Sequence, residues 1–265
     1  MASAFGLRAG GRRTDTALLA GGAVMFALTA ATTVVWCASM SGGMPMPGGW
    51  SMSMAWMRMP GQSLASAAAA FLAMWLLMMA AMMLPSLVAM LSRYRLALRR
   101  YGERRLALPT ALCAAGYLAV WTAVGALLYP LGVLLAGAAM RSEWLARAVP
   151  AATGAVLLLA GAFQLTPWKL ERLWRCREAL SCCGTPRADG AGAWRQGLRL
   201  GAECCLCCAG LIAALVVLGV MDHRAMGWVT AAITAERVSP WPRHVARVTG
   251  ILLLGAGVAW IARAA

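Results

Sequence analysis

The sequence predicts an all-α polytopic transmembrane helical bundle of six or seven spans, on three observations. Of 265 residues, 62% are hydrophobic and 12% are charged, against roughly 45 to 50% and 25% in soluble domains. Apolar runs long enough to cross a hydrocarbon core of about 30 Å recur along the chain. Most of the 24 Lys and Arg fall between those runs. A soluble single-domain enzyme is excluded on this basis. The formal net charge of +15 does not imply a nucleic-acid partner, because basic residues of membrane proteins collect on cytoplasmic loops. The expected partner is the lipid bilayer.

Residues 1–15, with Arg8, Arg12 and Arg13, read as a cytoplasmic tail. Thr16 to Cys37 is the first span. Its apolar run exceeds the roughly 7 to 15 residues of a signal peptide, and Trp36 is a poor neighbour for a cleavage site. Further spans are expected at Leu64 to Leu91, Leu108 to about Ala139, Val149 to Leu165, Cys204 to Met221 and Val245 to Ala262. Met226 to Val238 ends in Glu236 and Arg237 and is short for a span, so it also fits a re-entrant or interfacial helix. With the N-terminus inside, seven spans place 19 cations inside and 5 outside, whereas six place 17 and 7. The positive-inside rule therefore favours seven. Residues 16–265 form one membrane domain, with a Met-rich periplasmic loop at 40–62 and a Cys-containing cytoplasmic loop at 166–201.

Sulfur is concentrated along this frame. Thirteen of the 18 methionines fall between Met40 and Met90. The periplasmic loop carries Met40, Met44, Met46, Met52, Met54, Met57 and Met59 among Gly, Pro and Ser, a composition that builds no packed core. Thioethers bind soft Cu(I) without deprotonation, so the loop reads as a copper collector, with Met52 and Met54 near its centre. The competing reading is an interfacial segment held by Trp50 and Trp56. The second span stacks Met74, Met78 and Met82 at i, i+4 and i+8, with Met79 and Met83 on the neighbouring stripe. Pro85 follows, where the missing amide predicts a kink. Met is also an ordinary filler of membrane helices.

The nine cysteines include seven between Cys176 and Cys208. In GAECCLCCAG, Cys204 shares a helix face with Cys207 and Cys208, and Cys205 pairs with Cys208 at i+3. A position at the start of a helix would stabilise thiolates, as would nearby Arg195 and Arg199. Cys176, Cys182 and Cys183 precede the cluster on the same side. In a reducing compartment clustered thiols point to metal or redox chemistry, and Cu(I) accepts two or three thiolates. His223 and His244, in or near short loops, read as solvated or interfacial. Glu203 and Glu236, near span ends, read as partners for Arg. No nucleotide-binding loop, His-Glu-x-x-His or serine nucleophile elbow is present.

The segments MPGQSLASAAAAFLAMWLLMMAAMMLPS, QLTPWKLERLWRCR, the GxxCxxCC pattern at Gly201, Cys204, Cys207 and Cys208, and the tail from Met221 through Glu236 resemble a bacterial family catalogued as predicted metal-binding integral membrane proteins. Some of its members are labelled copper chaperones. The resemblance covers about residues 44–260. It matches Met78, Met82, Met83, Pro85 and Ser86, then Gln164, Thr166, Pro167 and Lys169, then Cys176, Cys204, Cys207 and Cys208. A family cysteine is Arg172 here, the residues flanking the double Cys are Leu206 and Ala209, and an Asn after Met221 is Asp222.

The expectation is a bacterial inner-membrane protein that binds Cu(I) through Met52, Met54, Met78, Met82, Met83, Cys176, Cys204, Cys205, Cys207 and Cys208. It would serve copper delivery, uptake or tolerance, with a copper-donor or copper-acceptor protein as partner. Two rivals stand beside it. One is a thiol-disulfide oxidoreductase that pairs Cys204 with Cys207 and Cys205 with Cys208, although disulfide chemistry has no use for the methionines. The other is a non-catalytic assembly scaffold.

Overall fold

The computed structural model describes residues 2–39, 43–58, 61–100, 102–103, 105–178 and 189–264. Long apolar stretches rich in Ala, Leu and Met make helices throughout: α1 (Ala2–Ser39), α2 (Leu64–Arg100), α3 (Ala107–Arg141), α4 (Glu143–Leu165), α5 (Pro167–Glu178), α6 (Gly190–Gly219), α7 (His223–Val238) and α8 (Pro242–Ala264). Helix α1 begins at Ala2, so the segment taken as an N-terminal tail is helical backbone continuous with the first span. Polar residues set the breaks. Ser142 ends α3 through its amide on the Ala138 carbonyl and caps α4 by accepting from the Leu145 amide. Thr166 accepts from the Lys169 amide, with Pro167 at the first helical position, where its missing N–H costs nothing. Asp189 caps α6 and Asp222 caps α7.

Six of these helices are long and apolar enough to cross a membrane, at 18–39, 64–100, 107–141, 143–165, 190–219 and 242–263. The first five alternate in direction, whereas α8 runs the same way as α6 because α7 returns between them. Gly22 of α1 lies against Val88 of α2, and the Trp75 indole of α2 donates to the Trp121 carbonyl of α3 at 2.9 Å. Helices α3 and α6 run parallel, with Cys113 beside Gly197 and Tyr117 beside Gly201. Helices α4 and α8 run antiparallel, with Gly154 on Gly257 and Gly161 on Gly250.

The end of the bundle where α1 starts is the near end, and the end where α1 finishes is the far end. Helix α7 has 16 residues and rises about 24 Å, short of the roughly 30 Å of a span. Its ends nonetheless meet opposite ends of the bundle. His223 Nε2 lies 3.3 Å from the Val34 carbonyl of α1 at the far end, while Glu236 meets Lys169 of α5 toward the near end. α7 therefore traverses the bundle beside the apolar half of α6 and does not lie flat on one end.

The Met-rich segment is folded. Met44–Met46 (β1) and Trp50–Met52 (β2) pair antiparallel, Met44 opposite Met52 and Met46 opposite Trp50. The turn uses Gly48 and Gly49 at φ +98° and +75°, which only glycine adopts without strain. The Trp50 indole donates to the Ala146 carbonyl at 2.8 Å, and Met52 is buried on Ala136 and Ala139. The segment's composition builds no packed core, and the hairpin has none of its own; it borrows one from α3. The segment at 166–201 is helical over Pro167–Glu178, in α5, and from Gly190, in the first turns of α6.

The α3–α6 contact is close enough to require glycine. A Cβ on Gly197 would run into the Cys113 carbonyl. Gly197→Ala is expected to force the two helices apart and cost about 1–3 kcal/mol, seen as a lower melting temperature in detergent. Gly137→Ala, with nothing within 4 Å of its added Cβ, is expected to leave the melting temperature unchanged or slightly raised, since alanine is the better helix former.

Candidate metal site

The site lies where α2, α3, α6 and α7 meet in the main core. Helical periodicity turns Cys204, Cys207 and Cys208 of α6 to one face, and all three are buried. They do not begin a helix: α6 starts at Gly190, fourteen residues earlier, so no helix-terminal field acts on them. The nearby positive charge also comes from a different residue. Arg237, in the last turn of α7, donates from Nη2 to Cys204 Sγ at 2.9 Å, Cys207 Sγ at 3.2 Å and Cys208 Sγ at 3.3 Å. One guanidinium nitrogen thus sits at the point on which three sulfurs converge.

Two further groups complete the surroundings of Cys204. Tyr117 Oη of α3 shares a hydrogen bond with its sulfur at 2.8 Å, and the Met83 thioether of α2 lies 3.9 Å away. Met90, also on α2, approaches Arg237 at 4.0 Å. Arg237 is held in place by its sequence neighbour. Glu236 pairs with Lys169 of α5 and accepts from Gln164 Nε2 of α4 at 2.8 Å. Lys169 and Glu236 are 0% and 1% exposed, so each charge needs the other. Glu236, expected to pair with Arg, forms its buried ion pair with Lys169. Glu203 does pair with an arginine, Arg172 of α5, at 3.1 Å, the position where the resembled family carries a cysteine. Two ion pairs therefore tie α5 to its neighbours, Arg172 to α6 and Lys169 to α7.

Among the described residues, no group of three or more His, Cys, Asp or Glu forms a ready-made metal site, and Arg237 Nη2 contacts all three thiols. The sulfur spacing nevertheless suits a soft ion. With metal–thiolate bonds of about 2.3 Å, trigonal ligands lie about 4 Å apart; Cys207 and Cys208 are 3.6 Å apart, and Cys204 and Met83 are 3.9 Å apart.

The other residues singled out from the sequence are dispersed. Cys205 is half-buried and is not among the sulfurs that Arg237 contacts. Cys176 lies in α5 with its side chain outside the described atoms, and Cys182, Cys183, Met40 and Met59 fall outside the described residues. Met78 and Met82 are buried with Met74 and Met79 on the inner face of α2, so the thioether column is in the core. Met52 packs in its own small cluster. Met54 instead lines a cavity of about 470 Å³ with Met57, Met74 and Met221. His223 and His244 are exposed, as expected.

Sequence reasoning missed Arg237 and Tyr117. The available signal was Glu236–Arg237 closing an otherwise apolar helix, since ionisable residues at membrane depth are functional candidates.

The model of a family described as copper chaperone, PpoB2, matches residues 72–260. No curated protein and no solved structure matches the chain.

Proposed function

Since the chain belongs to the PpoB2 family, described as copper chaperone, we propose that it carries Cu(I) as cargo at Cys204, Cys207 and Cys208 and passes it to an acceptor protein. The observation that carries this reading is the convergence of three buried thiols on one cationic nitrogen. The arrangement already accepts a positive charge at its centre, and soft sulfur donors select a soft cation. The incoming ion takes the position of Arg237 Nη2. Two thiolates and Cu(I) leave one net negative charge, and Arg237, moved aside by a short distance, neutralises it. Met83 stands behind Cys204 as a further donor.

The buried methionines of α2 support a route to this cluster. Met54 and Met74 line the cavity nearest the hairpin, and Met78, Met82 and Met83 continue along the same helix toward Cys204. Met52 serves as the hairpin's anchor and Met54 as its collecting thioether. The near end, richer in Arg, faces the cytoplasm of a bacterial inner membrane in this reading.

The test is an anaerobic Cu(I) titration of the detergent-purified chain against a chelator of known affinity, with copper counted by mass spectrometry. Tight stoichiometric copper is expected, and none above the detergent blank overturns the reading. In the same titration Arg237→Leu is expected to weaken binding about 10- to 100-fold, the usual loss when a group supporting metal ligands is removed. Arg237→Lys, which keeps the charge, should recover part of it.

A further inference from the structure

We propose a second soft-metal site at the far end of the bundle, formed by the sulfurs of Cys37 and Met221 beneath the methionine-lined cavity, which loads the same cargo. Cys37 is near the end of α1, and Met221 lies in the turn between α6 and α7. They are 184 residues apart in sequence, yet Cys37 Sγ donates to Met221 Sδ at 3.5 Å. Both are nearly closed to solvent, at 1% and 8% exposure. Met221 also lines the 470 Å³ cavity, whose wall includes Met54, Met57 and Met74 together with Trp36 and Arg58. Four thioethers and a thiol are thus gathered from α1, the hairpin segment, α2 and the α6–α7 turn.

A packing role alone does not account for this set. Thioethers fill cores well, but a filled core leaves few voids, and these methionines surround open volume. The cavity lining suits a soft ion, with four neutral thioethers and no carboxylate to favour a hard cation, and the Cys37 thiol, in contact with the lining residue Met221, supplies negative charge from behind the wall. A trigonal ion places donors about 4 Å apart, so the Cys37–Met221 pair needs to open only slightly, and Met74 and Met54 line the same cavity as Met221. Cys37 precedes the family match, which begins at residue 72, so the family description assigns it nothing. The site rests on the reading of the chain as a soft-metal carrier, to which it adds a loading position at the far end.

Silver(I), a redox-inert probe of the same softness, tests it on the full chain in detergent. Cys37→Ser/Met221→Leu is expected to bind one ion fewer than wild type, and Cys204→Ser/Cys207→Ser/Cys208→Ser also one fewer. An unchanged count in the first variant overturns the loading site and leaves the thiol cluster standing. An unchanged count in the second, with one ion lost in the first, removes the cluster and leaves the loading site. If the double variant fails to fold, the wild type still decides. Silver is expected to protect Cys37 from alkylation at least tenfold, read by peptide mass spectrometry, and no protection overturns the proposal.

Discussion

Serine at positions 204, 207 and 208 together is expected to remove one tightly bound Cu(I) per chain from the anaerobically purified protein. Serine keeps the size and hydrogen-bonding capacity of cysteine but replaces a soft, polarizable donor with a hard hydroxyl that Cu(I) does not favour. Arg237 can still donate to hydroxyl oxygens, so the α6–α7 contact has a substitute and the fold should persist. Two single variants make the result specific. Cys113→Ser alters an equally buried thiol of α3 outside the cluster, and Cys205→Ser alters the neighbouring stripe. Both are expected to retain copper. A thiol-disulfide mechanism that uses Cys205 with Cys208 as a second pair would instead show a redox-dependent mobility shift after thiol alkylation that changes in Cys205→Ser, whereas loss of copper in that variant would add Cys205 to the metal ligands. Unchanged copper in the triple variant would remove the cluster from consideration as the cargo site.

Lys169→Met is expected to destabilise the protein by about 3–5 kcal/mol, the cost of stranding one member of a buried ion pair. Glu236 is 1% exposed; without the lysine, its charge loses its ion-pair partner while Gln164 Nε2 still donates to it. The effect reaches the thiols because Glu236 and Arg237 are consecutive. Freeing the end of α7 from α5 moves the guanidinium away from the sulfurs, so copper affinity should fall with the melting temperature. The double variant Lys169→Met/Glu236→Leu removes both charges and should recover most of the lost stability, because a well-packed apolar pair often equals a buried ion pair. Equal melting temperatures for wild type and Lys169→Met would mean that the pair contributes nothing. A double variant no better than the single would mean that the lysine acts through its packing.

The architecture was legible in the sequence because a bilayer imposes length and polarity on each segment separately. Six apolar runs became the six helices long enough to span, although α2 continues to Arg100 and α6 begins at Gly190. Helices outlast their apolar stretches wherever the next stop signal is far away. The common face of Cys204, Cys207 and Cys208 and the methionine column of α2 were legible for a similar reason: helical spacing of 3.6 residues puts them there whatever surrounds the helix.

What that face looks at was decided only by tertiary structure. Arg237 follows Cys208 by 29 residues, and its place among the sulfurs depends on α7 turning back along α6 and on the Lys169–Glu236 pair that holds its end. The Cys37–Met221 pair joins residues 184 positions apart. Within the Met-rich segment, the alternation of a two-stranded hairpin buries Met52 on α3, while the short helical turn that follows sends Met54 to the cavity. Local pattern and bilayer thickness act on each segment alone, so the sequence determines a sulfur-rich bundle of membrane-length helices. Convergence of groups distant along the chain depends on helix crossing and direction, which are set by packing between surfaces and are encoded in no single segment.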